Sequence, residues 1–227
     1  MGGHVSLKSV YRRAVDRVQR ALMPFFEEQG FGVRGRTFNR LTKDGLTQVV
    51  NIQMGPSDPP GTTYVQGLTQ SMHGLFTVNL GVFVPEIAAI QIGEEPTTWV
   101  REYYCGIRSR LGSSGNDDIW WHARADDAVI SDVLSCLSTD GIPFLNRYAT
   151  RKKIMSELSN RPDQLGAASH PARIMLAILL VHSGNERRAS KMLAEQAKWA
   201  LEDNLRGHAD YVGKLALRLG LGSLKLT

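Results

Sequence analysis

Residues 76–86 read FTVNLGVFVPE, and the fold follows from how this stretch is read. Apolar side chains recur at every second position (Phe76, Val78, Leu80, Val82, Val84), with Thr77, Asn79 and Gly81 between them. A period of two is that of a strand with one buried face. Pro85 withholds a backbone donor and stops the ladder. A lone strand is not stable in water, so neighbouring runs of the same period must pair with it and helical runs must cover its apolar face.

The pairing partners lie on both sides. Upstream, Asp44-Gly45 supplies tight-turn chemistry between Arg34–Thr42 and Leu46–Met54, which predicts an antiparallel hairpin. Its second arm alternates through Leu46, Val50, Ile52 and Met54; the first does not, and Gly35 is placed to mark a bulge. Downstream, YYCGIRSRL at 103–111 and IWWHAR at 119–124 alternate again around the turn-forming GSSGNDD, which predicts a second hairpin. The stretch Gly55–Gly74, with three prolines and four glycines and no apolar period, reads as a long loop.

Helices flank this β-patterned middle. From Leu7 to Phe26 apolar residues step by three and four, with Ser6 as a candidate cap, Pro24 expected to kink or break the last turn and Gly30 to end the helix. Its polar side carries Lys8, Arg12, Arg13, Arg17 and Arg20, which could grip phosphates but on such a helix read as a solvated basic face. Asp126 or Asp127 caps a helix expected to stop at Gly141; Pro143 opens a short helical piece and Thr150 caps another through Leu158. After the linker-like SNRPDQLGAASHP come three further helical runs, 172–182, 186–205 and 209–219. The expected architecture is α+β: an antiparallel sheet of about five strands packed against an N-terminal helix and following helices, with a C-terminal helical appendage. The expected division is an α+β domain over residues 1–160 and the appendage over 165–227.

Composition narrows the function classes. The two cysteines, Cys105 and Cys136, are too few for a disulfide framework and lack metal spacing, which suits a reducing, cytoplasmic compartment. The opening residues show no secretory pattern. MGGHVS fits a permissive N-myristoylation pattern that chance explains better. The longest apolar run, Ile174–Val181, is too short for a membrane span. The net charge of +5 is unevenly placed: nine Lys/Arg face three Asp/Glu over 1–43, five face twelve over 44–150, and thirteen face seven over 151–227. Basic ends flanking an acidic middle admit an acidic partner, including nucleic acid.

The opening helix ending in EEQGF, with GRTFNR, VVNIQ, FTVNLGVF, CGIRSRLG, the WW pair and GIPFL, resembles an uncharacterised bacterial family known only as a domain of unknown function, over about residues 1–160. The resemblance implies an α+β domain with an antiparallel sheet and brings no catalytic residues.

No nucleotide-binding glycine motif occurs, the six histidines lack metal-ligand spacing, and the Asp117/Asp118 and Asp126/Asp127 pairs sit where capping explains them. A Cys105/His122 nucleophile and base pair is set aside because the alternation puts the two on opposite sheet faces. Neither a cofactor nor a metal is expected. The residues singled out are Asn79, Arg108, Arg110, Trp120, His122 and Arg124, which the alternation gathers on the polar sheet face, opposite Val78, Leu80, Val82, Ile107, Leu111 and Trp121. Guanidinium groups beside an indole and an amide suit an anion, a nucleotide or an acidic peptide, unless the arginines pair with acids of the same segment or the C-terminal helices cover the face. The leading expectation is a non-enzymatic protein that recognises another protein, of immunity or adaptor type. The alternatives are binding of nucleic acid or anions through basic surfaces, and an enzyme whose site the sequence does not display.

Overall fold

The computed structural model describes residues 7–58, 61–63, 71–91, 93, 98–112, 118–124, 126–160 and 169–224. Helix α1 (Leu7–Glu28) turns Val15, Val18, Leu22 and Phe26 inward and runs through Pro24 without a break. It ends at Gly30, where Phe31 N–H bonds Phe26 O at 2.9 Å. Ser6 and the myristoylation pattern lie outside the described residues.

The sheet is antiparallel, in the order β1 (Gly32–Arg34), β2 (Thr37–Leu41), β3 (Thr47–Met54), β4 (Leu75–Phe83), β5 (Ile107–Arg110), with β6 (Trp121–His122) also on β4. The expected hairpin is present as β2 and β3, with Phe38 opposite Val50, and β3 pairs in turn with β4, with Leu80 opposite Val50 and Asn79 opposite Asn51. Gly35 is not a bulge. At φ +59° it helps to turn an additional short hairpin, in which Arg34 pairs with Thr37.

The expected second hairpin is replaced by another arrangement. β5 pairs with β4 from Val82 to Asn79 and β6 continues along the same edge from Phe76 to Leu75, so both are segments of one interrupted edge strand. Between them Leu111 N–H bonds Val78 O and Ile119 N–H bonds Leu111 O. Periodicity records that both runs are strands; it does not record which neighbour they choose.

One sheet face carries Phe38, Val50, Ile52, Phe76, Val78, Leu80, Val82 and Ile107, all buried. Against it pack α1 and a continuous helical stretch made of α3 (Asp127–Cys136), a π turn (Leu137–Gly141) and α4 (Ile142–Arg147). Asp126 caps α3 by accepting Val129 N–H at 2.9 Å. The helix does not stop at Gly141, which has ordinary helical angles. The wide π turn lets the chain continue past Pro143, whose ring and missing N–H would otherwise break an α-helix. This stretch, 127–147, is the one among the described residues long and apolar enough to cross a bilayer. Here it sets Val133, Leu137 and Leu145 into the core of the sheet domain.

Polar ties fasten these layers. Gln48, 1 % exposed on the core face, donates to Leu145 O at 2.5 Å and accepts from Arg40 Nε at 2.7 Å. Arg40 also reaches Gln29 O and Asn146 and stacks on Phe31, which joins α1, β2, β3 and α4. Burial lowers the Arg40 pKa from its ordinary value. α2 (Pro85–Gln91), which the sequence pattern did not reveal, follows β4 directly. Its Glu86 receives a two-point bond from Arg151 (2.5 and 2.9 Å), the first residue of α5 (Arg151–Asn160), while Asp44 accepts the Arg151 N–H at 2.6 Å. The bond to Glu86 holds the Arg151 pKa above its ordinary value. Thr150 caps α5 through Lys153 N–H.

Helices α6 (Ser169–His182), α7 (Glu186–Glu202) and α8 (Arg206–Arg218) follow as an array in which each packs on the next. α6 is buried without a break from Ile174 to Leu180 and packs against α2, α5 and α7. The apolar core is therefore continuous from the sheet into the C-terminal helices. Arg218 of α8 donates to Ile90 O, near the C-terminus of α2, at 2.5 Å.

Candidate functional site

The second sheet face is where sequence and structure differ most. All nine residues of β4 are buried, including Thr77, Asn79 and Gly81. Two segments seal this face. At one end a 3₁₀ turn (Glu102–Tyr104) and its flanks pack Val100 and Cys105 on Val49, Phe83 and Ala88. Val100 is held there by Asn39, which both donates to Val100 O (3.0 Å) and accepts Val100 N–H (2.9 Å). At the other end the chain before β6 crosses over Thr77, whose hydroxyl donates to Ile119 O at 2.8 Å.

Between the seals lies a linked row of polar side chains. Asn79 donates to Gln53 at 2.6 Å and accepts from Arg110 Nε at 3.0 Å. Arg110 also pairs with Asp118 and lies over the Trp120 ring, 5.2 Å from its centre. Beside the row, Asn51 donates to Thr37 at 3.0 Å. Gln53 and Asp118 are exposed, and Asn51, Arg110 and Trp120 are half-buried. The upper surface of the site is thus an arginine, an indole, a carboxylate and an amide, each fixed by a neighbour.

The six residues expected on this face do not converge. Asn79, Arg110 and Trp120 come together. Arg108 sits beside Gly81, two strand positions from Asn79, and pairs with Glu102, whose hydrogen bond raises the arginine pKa. His122 pairs with Leu75, about 13 Å along β4 from Asn79, and Arg124 follows it; both are exposed. Both arginines of β5 thus hold carboxylates from the same acidic segment. Alternation in TQVVNIQM does not by itself mark Gln53 and Asn51 as site residues; only the β3–β4 register shows that they stand beside Thr77 and Asn79.

The Cys105/His122 pair fails for a different reason than face assignment. Cys105 lies just before β5, against Gly81, on the same face that His122 occupies. The two are separated by about 20 Å, six residues of β4. Burial, and next the Glu102 carboxylate, push the Cys105 thiol well above its ordinary value, so it stays protonated. Cys136 is raised as well, by burial and then by Asp132 and Asp140, but is only half-buried. A disulfide-exchange reagent at pH about 8, near the ordinary thiol pKa, is expected to modify Cys136 in the folded protein and to reach Cys105 only on unfolding. Because its folded pKa is the higher one, Cys105 contributes full stability below pH about 8.5 and less as pH rises above it. Rapid modification of both thiols in the native state would contradict this burial. Among the described residues no three His, Cys, Asp or Glu side chains are grouped to hold a metal ion.

These features define an α+β domain whose sheet is sealed by helices on one face and, on the other, by a 3₁₀ turn and the chain segment that precedes β6. Residues 60–147 match the family described as a domain of unknown function, DUF4304. The match takes in β4, β5, β6, α3 and α4, and so Asn79, Arg110, Asp118 and Trp120; α1 and the hairpins that supply Asn51 and Gln53 lie outside it. No curated protein and no solved structure matches the chain.

Proposed function

We propose that this is a non-enzymatic, cytoplasmic bacterial protein that recognises another protein through the row Gln53, Asn79, Arg110, Trp120 and Asp118. The observation that carries the reading is pre-organisation: each of these side chains is held by its neighbour before any partner arrives. Ordering such groups is a main cost of association, and here folding has already met it. Arginine and tryptophan are also among the side chains enriched at the positions that dominate protein interfaces. The carboxylate beside Arg110 disfavours a free anion as the ligand and suits a partner surface that presents both donors and acceptors.

The test is co-purification from the native host with the wild type and with Trp120→Ala and Gln53→Arg, each checked for unchanged thermal unfolding. A specific protein retained by the wild type should bind both variants at least about tenfold more weakly, the scale of an interface anchor. If every retained protein binds all three alike, the row is not a recognition surface.

A further inference from the structure

Helix α1 carries a second surface, on the side away from the sheet. Arg13, Arg17 and Arg20 follow the i, i+4, i+7 spacing that lines one helix face, and Arg12 borders it; all four are exposed. Val15, Val18, Leu22 and Phe26 occupy the opposite side, in the core. Asp16 is the sole acid in the helix before Glu27, and it is already engaged by Arg36 at 2.7 Å. Arg36 also donates to Arg12 O, which ties the β1–β2 turn, with its exposed Arg34, to the N-terminal half of the helix. No carboxylate among the described residues forms an ion pair with Arg12, Arg13, Arg17, Arg20 or Arg34.

This arrangement costs the free helix stability. Like charges at i, i+4 repel, and the first turn contains Lys8 and no acid, the reverse of what the helix dipole favours. A face needed only for solubility would intersperse acids and avoid both costs. The uncompensated charge is explained by a ligand that supplies the missing negative charges.

We infer that the arginine face of α1 binds the phosphodiester backbone of nucleic acid. Between residues 12 and 20 all the basic residues are arginines, whose planar forks match phosphate oxygens. The face is a row of exposed arginines along one helix, which suffices for a regular line of phosphates. An acidic peptide would also need side-chain pockets for affinity. Binding is therefore electrostatic and independent of base sequence.

The experiment is fluorescence anisotropy with a labelled DNA duplex at low salt, using the full chain. Binding is expected, with a log–log salt slope of about −3 to −4 if four arginines each displace a counterion. The triple variant Arg13→Gln/Arg17→Gln/Arg20→Gln should flatten that slope by about three. It should also unfold at an unchanged or higher temperature, because the repulsion is removed. Arg187→Gln/Arg188→Gln, at the start of α7, should bind like the wild type. The inference is overturned by absence of binding at low salt, by an unchanged slope in the triple variant, or by polyglutamate competing as well as unlabelled duplex. This last result would make the partner an acidic polypeptide.

Discussion

Leu80→Ala is expected to destabilise the protein by about 4 kcal/mol, toward the upper end of the range for truncating a buried leucine. Leu80 is 2 % exposed at the centre of β4 and faces the π turn, where Gly141 lies close to the side chains of Leu80, Leu111 and Leu137. Helix on one side and sheet on the other leave few ways for the site to collapse, so most of the cavity would remain. Thr77→Ala, on the opposite face, is expected to cost about 1 to 2 kcal/mol, since Thr77 is also fully buried and its loss leaves Ile119 O without a donor. Chemical denaturation of the two variants checks both figures. A negligible loss at Thr77 would mean that the second face is open to water. A loss at Leu80 below that at Thr77 would mean that the π turn and the helices flanking it are not packed on β4 as described.

Gly81→Ala is expected to cost about 3 kcal/mol, at the upper end for overpacking a well-filled site. The reason is space and not backbone freedom. A Cβ at position 81 would stand 2.6 Å from Cys105 Sγ and 2.8 Å from Cys105 Cβ, so the 3₁₀ turn would have to lift. Lifting it would also loosen the contacts of Val100 with Val49 and Phe83. Removing the obstructing side chain tests this directly. Gly81→Ala/Cys105→Gly should be less destabilised than the sum of its single variants, because the new methyl then occupies the space the cysteine vacates. Strict additivity would show that the clash is not what Gly81 avoids.

These two substitutions separate what the residue pattern shows from what it leaves open. The alternation through Phe76, Val78, Leu80, Val82 and Val84 identifies β4 and its core face, and every apolar residue assigned to that face is buried. The Asp44-Gly45 turn, the Asp126 cap and the end of α1 at Gly30 are equally local, since each depends on a few consecutive residues. Burial of Thr77, Asn79 and Gly81 is not local. A period of two reports which residues are apolar, and a strand covered on its second face by polar contacts and a glycine leaves the same record as a strand open to water. The partners chosen by β5 and β6 depend likewise on the edge that β4 offers after folding.

The candidate site divides in the same way. Arginines beside a tryptophan on the polar face of the sheet were legible from alternation, and Arg110 does meet Trp120. Which arginine is tied by which carboxylate, and the arrival of Gln53 beside Asn79, depend on the β3–β4 register and on the path of the chain from β5 to β6. By itself the sequence determined the class of fold, the end of α1 at Gly30, the Asp44-Gly45 turn, the Asp126 cap, the core face of β4 and the row of arginines on α1, because propensity, capping, alternation and charge are properties of neighbouring residues. The tertiary structure decided the second seal on β4, the interrupted edge strand, the passage of the helix through Gly141 and Pro143, and the polar row. Each of these is a contact between residues distant along the chain, whose strength comes from burial and geometry that exist only once the layers are packed.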